Sequence, residues 1–413
     1  MRPVQRAQRH IPALTVIAAL ALAGCAPVYR SRPGGKGIVL VRVALFHNLQ
    51  QAVIAGNDTM RISDASHEGT LAPGESWRVF ALDGRLAATT ARNTFVAQID
   101  GALKLWSKTG VLINGKRINA PVELRPEAGG GVLVIAELPL EEYAAGVVNA
   151  ELGMVKPEEI DAARAQAIAS RSYACAKLGS KPATPACRNA LWRAGTAGAG
   201  YDLESTVSEQ VFDPDKPMNP VILKAVRETE GMVLVCEGSV IAANYHSCCG
   251  GRTSFASEVW NADDGNFPYI KSVRDRYCKG SPKYVWSDTI AVGEITYQLF
   301  DSLAVVYDVS IADKGPSYRA AVLKIRSTTG DTMLYKDKIR FGLTSHNILS
   351  TKFDLACQRD EAGNVSAVVL KGFGYGHGVG LCQWGAIGMA REGKSYRKIL
   401  KQYYKDVKIE KLY

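Results

Sequence analysis

The chain has 413 residues, of which 47% are hydrophobic and 22% are charged. This composition is that of an ordinary globular protein and excludes a disordered or low-complexity chain. The formal net charge of +10, from 50 basic and 40 acidic residues, favours an anionic partner.

The first 24 residues have the pattern of a secretory signal. Three arginines precede an apolar run at 11–23, which ends in Leu-Ala-Gly before Cys25. A basic start, a short apolar core and a small-residue site are typical of exported proteins. A cysteine in this place resembles that of a bacterial lipobox, so Cys25 is expected to carry a lipid and become the mature N-terminus. The alternative is a short membrane anchor with an incidental cysteine, although the run is short for a span.

Export decides which anionic partners are plausible. Removing residues 1–24 takes away three arginines and no acid, so the charge falls from +10 to +7. An envelope polymer or a membrane surface suits this charge outside the cytoplasm. Nucleic acid is not expected, because the chain carries no recognisable nucleic-acid module. Residues 25–37, rich in proline, glycine and basic residues, are predicted to form a flexible tether to the membrane.

Residues 38–135 are predicted to form a β-rich domain, or wing. Short apolar runs recur there, bounded by turns of glycine, asparagine, aspartate and proline. The segment 111–118 reads VLINGKRI, and its Asn-Gly pair is typical of a hairpin. No obvious chemistry lies in this region.

Residues 136–413 are predicted to form a mixed α+β core. Pro139 and the acids after it begin a helix that ends at about Leu152, and Pro157 begins the next helix in the same way. A last helix is predicted at about 395–404. Strands are predicted at 232–236, 240–245, 320–325 and 365–370. The fold class is therefore α+β.

A glycine-rich segment at 372–386 reads GFGYGHGVGLCQWGA. In an extended strand, glycine at almost every second position leaves one face bare. Tyr375, His377, Gln383 and Trp384 would then project from it. Rings that stack on sugars and an amide that binds hydroxyls suit a polyhydroxylated polymer. The alternative is a glycine-rich turn with a buried histidine.

This block and earlier segments resemble the SpoIID/LytB family, the stage II sporulation protein D and amidase-enhancer family of cell-wall proteins. The matching segments are 138–152 (LPLEEYAAGVVNAEL), 165–174 (AQAIASRSYA), 245–260, 372–386 and 395–404 (SYRKILKQYY). They occur in the family's order over roughly residues 120–413. The resemblance implies a SpoIID-like core, peptidoglycan glycan strands as a partner and the cell envelope as the location.

Glu151 is the candidate catalytic acid/base. A lytic transglycosylase works with one carboxylate, because the muramyl C6 hydroxyl attacks its own anomeric carbon and no water is needed. The carboxylate should be partly desolvated, with a raised pKa. The resemblance places the family's catalytic glutamate at Glu151, beside Val147 and Val148 at a helix end. From the residues alone, a solvated helix-end carboxylate is the alternative.

The resemblance also implies a set of substrate-binding positions. These are Arg171, Tyr173, Tyr245, His246, Ser247, Glu258, Tyr375, His377, Gln383 and Trp384. Arg171 would orient Glu151 or bind the substrate's lactyl carboxylate. Glu258 would line the cleft or pair with Arg171. A Ser-His dyad at His246 and Ser247 is disfavoured, because neighbouring strand residues point to opposite faces.

The cysteines suggest disulfides. Eight remain after Cys25, and an even number in an oxidising compartment favours bridges, although the sequence does not fix their pairing. Cys175 and Cys187 flank a segment that a local bridge would staple. Cys248 and Cys249 would bond to different partners.

Zinc is the competing use of these cysteines. Some relatives carry a zinc site just before a Gln-Val-[Tyr/Phe] motif, but here Glu204, Ser208 and Glu209 occupy the ligand positions. The sequence therefore predicts no metal and no cofactor. A different zinc site near His246, Cys248 and Cys278 stays open.

These observations predict a lipid-anchored lytic transglycosylase that cleaves glycan strands, preferably those already stripped of stem peptides. The alternative is a non-catalytic protein that binds the same strands and stimulates an N-acetylmuramoyl-L-alanine amidase.

Overall fold

The computed structural model describes residues 39–178, 200–206, 209–300, 303–346 and 348–413. The predicted signal peptide, tether and lipidated Cys25 lie outside these residues, as does Cys187. Among the helices of the described residues, none is long and apolar enough to cross a membrane.

In the part of the chain that the structure describes, twelve strands precede the first helix. They are β1 (Leu40–Leu49), β2 (Ala52–Ala55), β3 (Met60–Ser63), β4 (Glu68–Leu71), β5 (Ser76–Leu82), β6 (Arg85–Thr90), β7 (Phe95–Ile99), β8 (Leu103–Trp106), β9 (Val111–Ile113), β10 (Lys116–Ile118), β11 (Val122–Pro126) and β12 (Val132–Pro139). The helices are α1 (Leu140–Leu152), α2 (Ile160–Leu178), α3 (Pro220–Glu228), α4 (Val292–Leu299), α5 (Lys338–Gly342), α6 (Gln383–Arg391) and α7 (Tyr396–Tyr403). The other strands are β13 (Leu203–Glu204), β14 (Met232–Cys236), β15 (Ser239–Val240), β16 (Tyr245–His246), β17 (Val285–Ala291), β18 (Val306–Lys314), β19 (Ala320–Ser327), β20 (Gly330–Tyr335), β21 (Phe353–Arg359), β22 (Val365–Phe373), β23 (Leu381–Cys382) and β24 (Lys408–Lys411).

The N-terminal strands form two sheets. One has the order β13-β1-β12-β11-β8-β3-β4 and the other β10-β9-β2-β5-β6-β7. The predicted hairpin is confirmed as β9 and β10, joined through Asn114 and Gly115 with φ of 49° and 81°. Both residues lie in the left-handed region, as the tight turn of a two-residue hairpin requires.

These strands share one hydrophobic core with the helices. The core runs from Val41 in β1, through Tyr143 in α1 and Ile168 in α2, to Tyr404 after α7. Strand β13 also extends the first sheet beside β1, in parallel. The α+β class is confirmed, but the structure does not separate the strands as a wing. The division at residue 135 stays a prediction.

A second hydrophobic core lies in the segment between β16 and β23. It is built from the sheets β17-β22-β21 and β18-β19-β20 with α4 and α5, around side chains such as Ile290, Leu323 and Val368. The sequence predicts two of these strands, β19 and β22, but not that the sheets enclose a core of their own.

Helix α2 lies at the centre of the first core. Both predicted helix starts are confirmed, the second as a single 3-10 turn at Pro157–Glu159 before α2. Alanines dominate α2, and small side chains let α1, α3, α6, α7 and β14 all pack against it. The last helix is confirmed as α7, with Ile399 and Leu400 fully buried.

The glycine-rich segment is not the single bare strand predicted. Strand β22 ends at Phe373, a loop follows, β23 has two residues and α6 begins at Gln383. The loop glycines all have positive φ, at Gly374 (79°), Gly376 (100°), Gly378 (86°) and Gly380 (73°). They serve backbone turns that side chains would strain, so the alternative of a glycine-rich turn is correct. Strand β23 pairs in parallel with β16.

The predicted disulfides are absent from the described residues. No disulfide joins two of the described cysteines, which are Cys175, Cys236, Cys248, Cys249, Cys278, Cys357 and Cys382. The suggested staple between Cys175 and Cys187 reaches outside the described residues. Cys248 and Cys249 do face different groups, since the Cys248 thiol points to the Cys278 carbonyl and the Cys249 thiol to Asp275.

Candidate active site around Glu151

Glu151 lies in the last turn of α1, half-buried, with both carboxylate oxygens engaged. One oxygen accepts a hydrogen bond from the Val211 backbone N–H at 3.1 Å. The other accepts one from the Gln383 amide nitrogen, also at 3.1 Å. A helix end, a loop and the start of α6 therefore meet at one carboxylate.

The loop that carries Val211 is held against α1 by two aromatic rings. Phe212 stacks on Tyr143 with ring centroids 5.6 Å apart, and the Tyr143 hydroxyl donates to the Gln210 side chain at 2.9 Å. A Cβ at Gly146 would lie 2.2 Å from the Phe212 ring, so only glycine permits this approach. Sequence reasoning missed Val211, although the Gln-Val-Phe motif marks its position.

Gln383 is the first residue of α6 and is 5% exposed. The pairing of β16 with β23 aligns His246 with Cys382 and so fixes the chain just before Gln383. The sequence predicts Gln383 as a substrate-binding residue. In the structure its amide serves Glu151.

Burial raises the pKa of Glu151 above the ordinary value of 4.5. The hydrogen bonds from Gln383 and Val211 oppose this rise, because they favour the charged carboxylate, and the Lys216 ammonium opposes it too. Among the described residues, the charge that acts on Glu151 is thus the Lys216 cation and not a second carboxylate. Such a group can hold a proton and is also prepared to carry the charge when it gives that proton up.

Tyr245 lies close enough for its phenol to interact electrostatically with Glu151. Burial, and secondly the Glu151 charge, raise the pKa of Tyr245, so the phenol stays protonated. Its hydroxyl lies beside Ser170 yet makes no hydrogen bond of normal geometry within the described residues. A buried hydroxyl without a partner is uncommon, so the neighbouring Ser170 marks the group that this hydroxyl faces.

The two predicted histidines bind the backbone. Nε2 of His377 donates to the Tyr245 carbonyl at 2.8 Å, while its Nδ1 accepts from the Val379 N–H at 3.1 Å. Nδ1 of His246 donates to the Val379 carbonyl at 3.1 Å. Burial lowers the pKa of each to about 3, so both rings are neutral. With both ring nitrogens of His377 occupied, its predicted role in binding sugar gives way to one in holding β16 beside the glycine-rich loop.

Arg171 does not reach Glu151. It is fully buried and forms a bidentate salt bridge with Glu141, with N–O distances of 2.7 and 2.6 Å. It also donates a hydrogen bond to the Met232 carbonyl. The structure thus shows no contact by which Arg171 would orient Glu151, and binding of substrate by Arg171 stays an untested prediction. Its guanidinium is committed to joining α1, α2 and β14.

Glu258 is likewise committed to structure. Its oxygens accept from the Phe255 N–H at 2.9 Å and from the Ser317 N–H at 2.7 Å. It neither pairs with Arg171 nor joins the group at Glu151. A second catalytic carboxylate at this position has no support.

Of the other predicted residues, Ser247 uses its carbonyl to accept the Trp384 backbone N–H at 3.0 Å. The Trp384 ring is half-buried against the first core, and the Tyr375 ring is 42% exposed. Tyr173 is 8% exposed, and the Lys177 ammonium lies 5.8 Å from its ring centroid. The structure brings Gln383 and Tyr245 to Glu151, whereas no contact of Tyr375 or Tyr173 with Glu151 is seen.

The positions that hold zinc ligands in some relatives form a salt bridge in this chain. The Lys177 ammonium lies 2.7 Å from Glu209, whose other oxygen accepts the Glu204 backbone N–H at 2.8 Å. Ser208 lies outside the described residues. A lysine ammonium beside these carboxylates takes the place of a metal cation and repels one.

A cavity of about 420 Å³ lies along α1 without containing Glu151. Its lining includes Gly146, Phe212 and Lys216. Lys216 also donates to the Ala150 carbonyl and acts electrostatically on Glu151. The cavity therefore borders the site but does not contain its carboxylate.

Comparison with known proteins shows which family this chain resembles. The model described as "Stage II sporulation protein" (SpoIID) matches residues 128–236, and a domain of unknown function (DUF8618) matches residues 269–380. The chain is 31% identical to the stage II sporulation protein D of Bacillus amyloliquefaciens, over 67% of this chain and 75% of that protein. It is 29% identical to an uncharacterized protein of Brachyspira hyodysenteriae, over 67% of this chain and 68% of the relative.

A more distant relative is the amidase enhancer of Bacillus subtilis, at 25% identity over 59% of this chain and 37% of the enhancer. The segments that build the Glu151 site run from α1 to α6, and the SpoIID match covers the part with Glu151 and Val211. With three quarters of a stage II sporulation protein D covered at 31% identity, the chain belongs to the SpoIID/LytB family of cell-wall proteins.

Proposed function

We propose that this protein is a lytic transglycosylase of the bacterial cell envelope, which cleaves peptidoglycan glycan strands and leaves 1,6-anhydromuramyl ends. The observation that carries the proposal is the state of Glu151: half-buried, with a raised pKa, and held between two fixed hydrogen-bond donors. A carboxylic acid in this state suits general acid and base catalysis by a single group.

The geometry supports a mechanism with one proton cycling through Glu151. The protonated carboxyl gives its proton to the glycosidic oxygen as the bond to the anomeric carbon breaks. The carboxylate then takes the proton of the muramyl C6 hydroxyl, whose oxygen bonds to that carbon. Between the two steps the Gln383 amide, the Val211 N–H and the Lys216 ammonium stabilise the anion. The proton is returned and no water is consumed.

A hydrolase is less well supported. Most glycoside hydrolases place two carboxylates about the scissile bond, about 5 to 10 Å apart. The charged group acting on Glu151 is Lys216, a cation, and both oxygens of Glu258 are bound by backbone N–H groups.

The substrate would be glycan strands from which stem peptides have been removed. Trp384 follows Gln383 directly, and its half-buried ring would suit stacking on a sugar. Tyr375, 42% exposed, would extend the surface along the strand.

A second candidate function follows from the B. subtilis relative named as an amidase enhancer. In this alternative the same surface binds denuded glycan and stimulates a cell-wall amidase without cleaving the glycan. The retained Glu151 site favours the enzyme.

We also propose that the protein is exported and held at the membrane by a lipid on Cys25, as the sequence before this residue indicates. Replacing Cys25 with serine should release the protein from membranes and abolish palmitate labelling. Continued labelling of Cys25→Ser would contradict lipidation at this residue.

The deciding experiment is mass spectrometry of products from purified denuded glycan in ¹⁸O-labelled water. A transglycosylase gives anhydromuramyl ends, each one water lighter than a reducing end, with no ¹⁸O incorporated. Reducing ends carrying ¹⁸O would identify a hydrolase. No product, together with stimulation of an amidase, would leave the enhancer as the function.

A further inference from the structure

Four buried side chains that the proposed catalysis does not use converge behind the start of α6. The sulfurs of Cys249, Cys278 and Cys382 and a carboxylate oxygen of Asp275 all lie within 4.8 Å of one another. Each residue is at most 2% exposed. We propose that these four residues bind a structural zinc ion.

The distances fit a tetrahedral site. With Zn–S of about 2.3 Å and Zn–O of about 2.1 Å, a tetrahedral edge is about 3.8 Å between sulfurs and about 3.6 Å between sulfur and oxygen. The Cys249 and Cys278 sulfurs are 3.6 Å apart, and the Cys249 sulfur is 3.3 Å from Asp275 Oδ2. A disulfide would need about 2.05 Å between the sulfurs.

The outer contacts orient these groups as metal ligands require. The backbone N–H groups of Cys249 and Gly385 both donate to the Cys382 sulfur at 3.3 Å. The Tyr403 hydroxyl donates to Asp275 Oδ2 at 3.0 Å, and the Tyr277 N–H donates to Oδ1 at 2.8 Å. Partners of this kind orient ligands and stabilise thiolates in zinc sites.

The absence of a side chain at Gly385 leaves room for the Asp275 carboxylate. A Cβ on Gly385 would lie 2.2 Å from Asp275 Oδ2 and 2.0 Å from the Tyr403 hydroxyl. Glycine in the first turn of α6 thus lets Asp275 reach the sulfurs. Cys382 caps this nine-residue helix, whose positive end favours a thiolate.

The charge around the cluster also fits. Three thiolates and one carboxylate bring four negative charges, and zinc brings two positive ones, which leaves −2. Arg319 and Lys352 both interact electrostatically with Cys249, and Lys352 donates to the Gly250 carbonyl. Arg319 is 1% exposed and forms no carboxylate pair within the described residues. An anionic zinc site supplies the counter-charge for both cations.

This site differs from the one near His246, Cys248 and Cys278 that the sequence leaves open. Nδ1 of His246 faces the Val379 carbonyl, and the Cys248 thiol faces the Cys278 carbonyl. Cys278 alone is shared. Four protein ligands leave no open position, so the zinc is structural and not catalytic. It would tie residues 249, 275–278 and 382 together and so fix Gln383 next to Cys382.

The test is elemental analysis of the full chain purified from the envelope fraction without chelators. We expect stoichiometric zinc, and its loss in both Cys278→Ser and Asp275→Asn. Cys357→Ser is the matched control, because Cys357 is a half-buried thiol outside the cluster, and it should keep its zinc. Zinc retained in both cluster variants would overturn the proposal.

Cobalt exchange on the wild-type chain keeps the proposal testable if the variants fail to fold. Co²⁺ in this site should give thiolate-to-cobalt charge-transfer bands and the strong visible bands of tetrahedral cobalt. Absence of zinc together with a disulfide between Cys249 and Cys278, seen by non-reducing peptide mass spectrometry, would refute the site. The site would also be refuted by a metal-free wild-type protein that has free thiols and the same thermal stability as the protein supplied with zinc.

Discussion

Gln383 donates a 3.1 Å hydrogen bond to Glu151 although 232 positions separate them in the chain. The bond joins the end of α1 to the start of α6, and it favours the charged form of a carboxylate whose burial favours the neutral form. The balance of the two effects sets the proton affinity of the proposed acid/base.

Glu151→Gln should abolish product release while glycan binding persists. The amide keeps the shape and an acceptor for the Val211 N–H, but it cannot cycle a proton. Loss of acid/base catalysis should cost at least about a hundredfold in turnover. Product release and glycan affinity would both be measured, with Glu158→Gln as an exposed-carboxylate control. Turnover at the wild-type level in Glu151→Gln would rule out Glu151 as the acid/base.

Gln383→Leu should move the pH profile of kcat/KM to higher pH. The lost hydrogen bond stabilises the carboxylate anion, so its removal raises the pKa of Glu151 further above its ordinary value. Gln358→Leu, on an exposed position of β21, should leave the profile unchanged. A Gln383→Leu profile that keeps its midpoint while only KM rises would mean that Gln383 binds substrate instead.

The buried charge of Glu151 should make the protein less stable at neutral pH than the Glu151→Gln variant. A carboxyl whose pKa is raised in the folded state stabilises the fold most at pH values below its unfolded pKa, near 4.5. This stabilisation is lost as the pH rises through the folded pKa. The variant's advantage in Tm should therefore grow from acid to neutral pH. Equal Tm values at all pH would contradict the raised pKa, and Glu158→Gln should show no such trend.

Arg171→Ala should unfold readily, with no specific effect on glycan binding. Removing the buried guanidinium leaves Glu141 without its partner, which should cost about 3 to 5 kcal/mol of unfolding free energy. Arg164→Ala breaks a more exposed pair with Glu228 and should cost at most about 1 kcal/mol. Urea unfolding compares the two. Normal stability with lost glycan affinity in Arg171→Ala would restore the substrate-binding role.

Gly146→Ala should disturb the site through Phe212. The added methyl would lie 2.2 Å from the Phe212 ring, so the loop must move and take the Val211 N–H away from Glu151. Overpacking of this kind costs about 1 to 3 kcal/mol, and turnover should fall with it. Gly293→Ala in α4 meets no atom within 4 Å and should be neutral or stabilising. Full turnover in Gly146→Ala would mean that the loop position is unimportant.

Local patterns predict local structure well in this chain. The Asn-Gly pair at 114–115 gives its hairpin, Pro139 directly precedes α1, and the apolar run at 232–236 is β14. In each case the signal lies within a few residues of the element it predicts.

Long-range contacts were beyond such patterns. Burial of Arg171 against Glu141 depends on α1 and α2 crossing, and no spacing along the chain specifies this. The glycines at 374–380 were predicted to form a bare strand, because composition does not reveal their positive φ angles. The even cysteine count suggested bridges, whereas Cys249, Cys278 and Cys382 meet around Asp275. At the candidate site, the family pattern pointed to Glu151 and Gln383 separately, and the fold showed their contact.

The segment matched as SpoIID, residues 128–236, contains Glu151 and Val211 but neither Gln383 nor the strand β16. A fragment cut at those bounds would lack the Gln383 donor to Glu151, and α6 would no longer bury the carboxylate. The proton affinity of Glu151 in this fragment would approach that of a glutamate in water. The smallest unit that keeps both donors of the proposed acid/base therefore extends to α6, well past the boundary at which the matched segment ends.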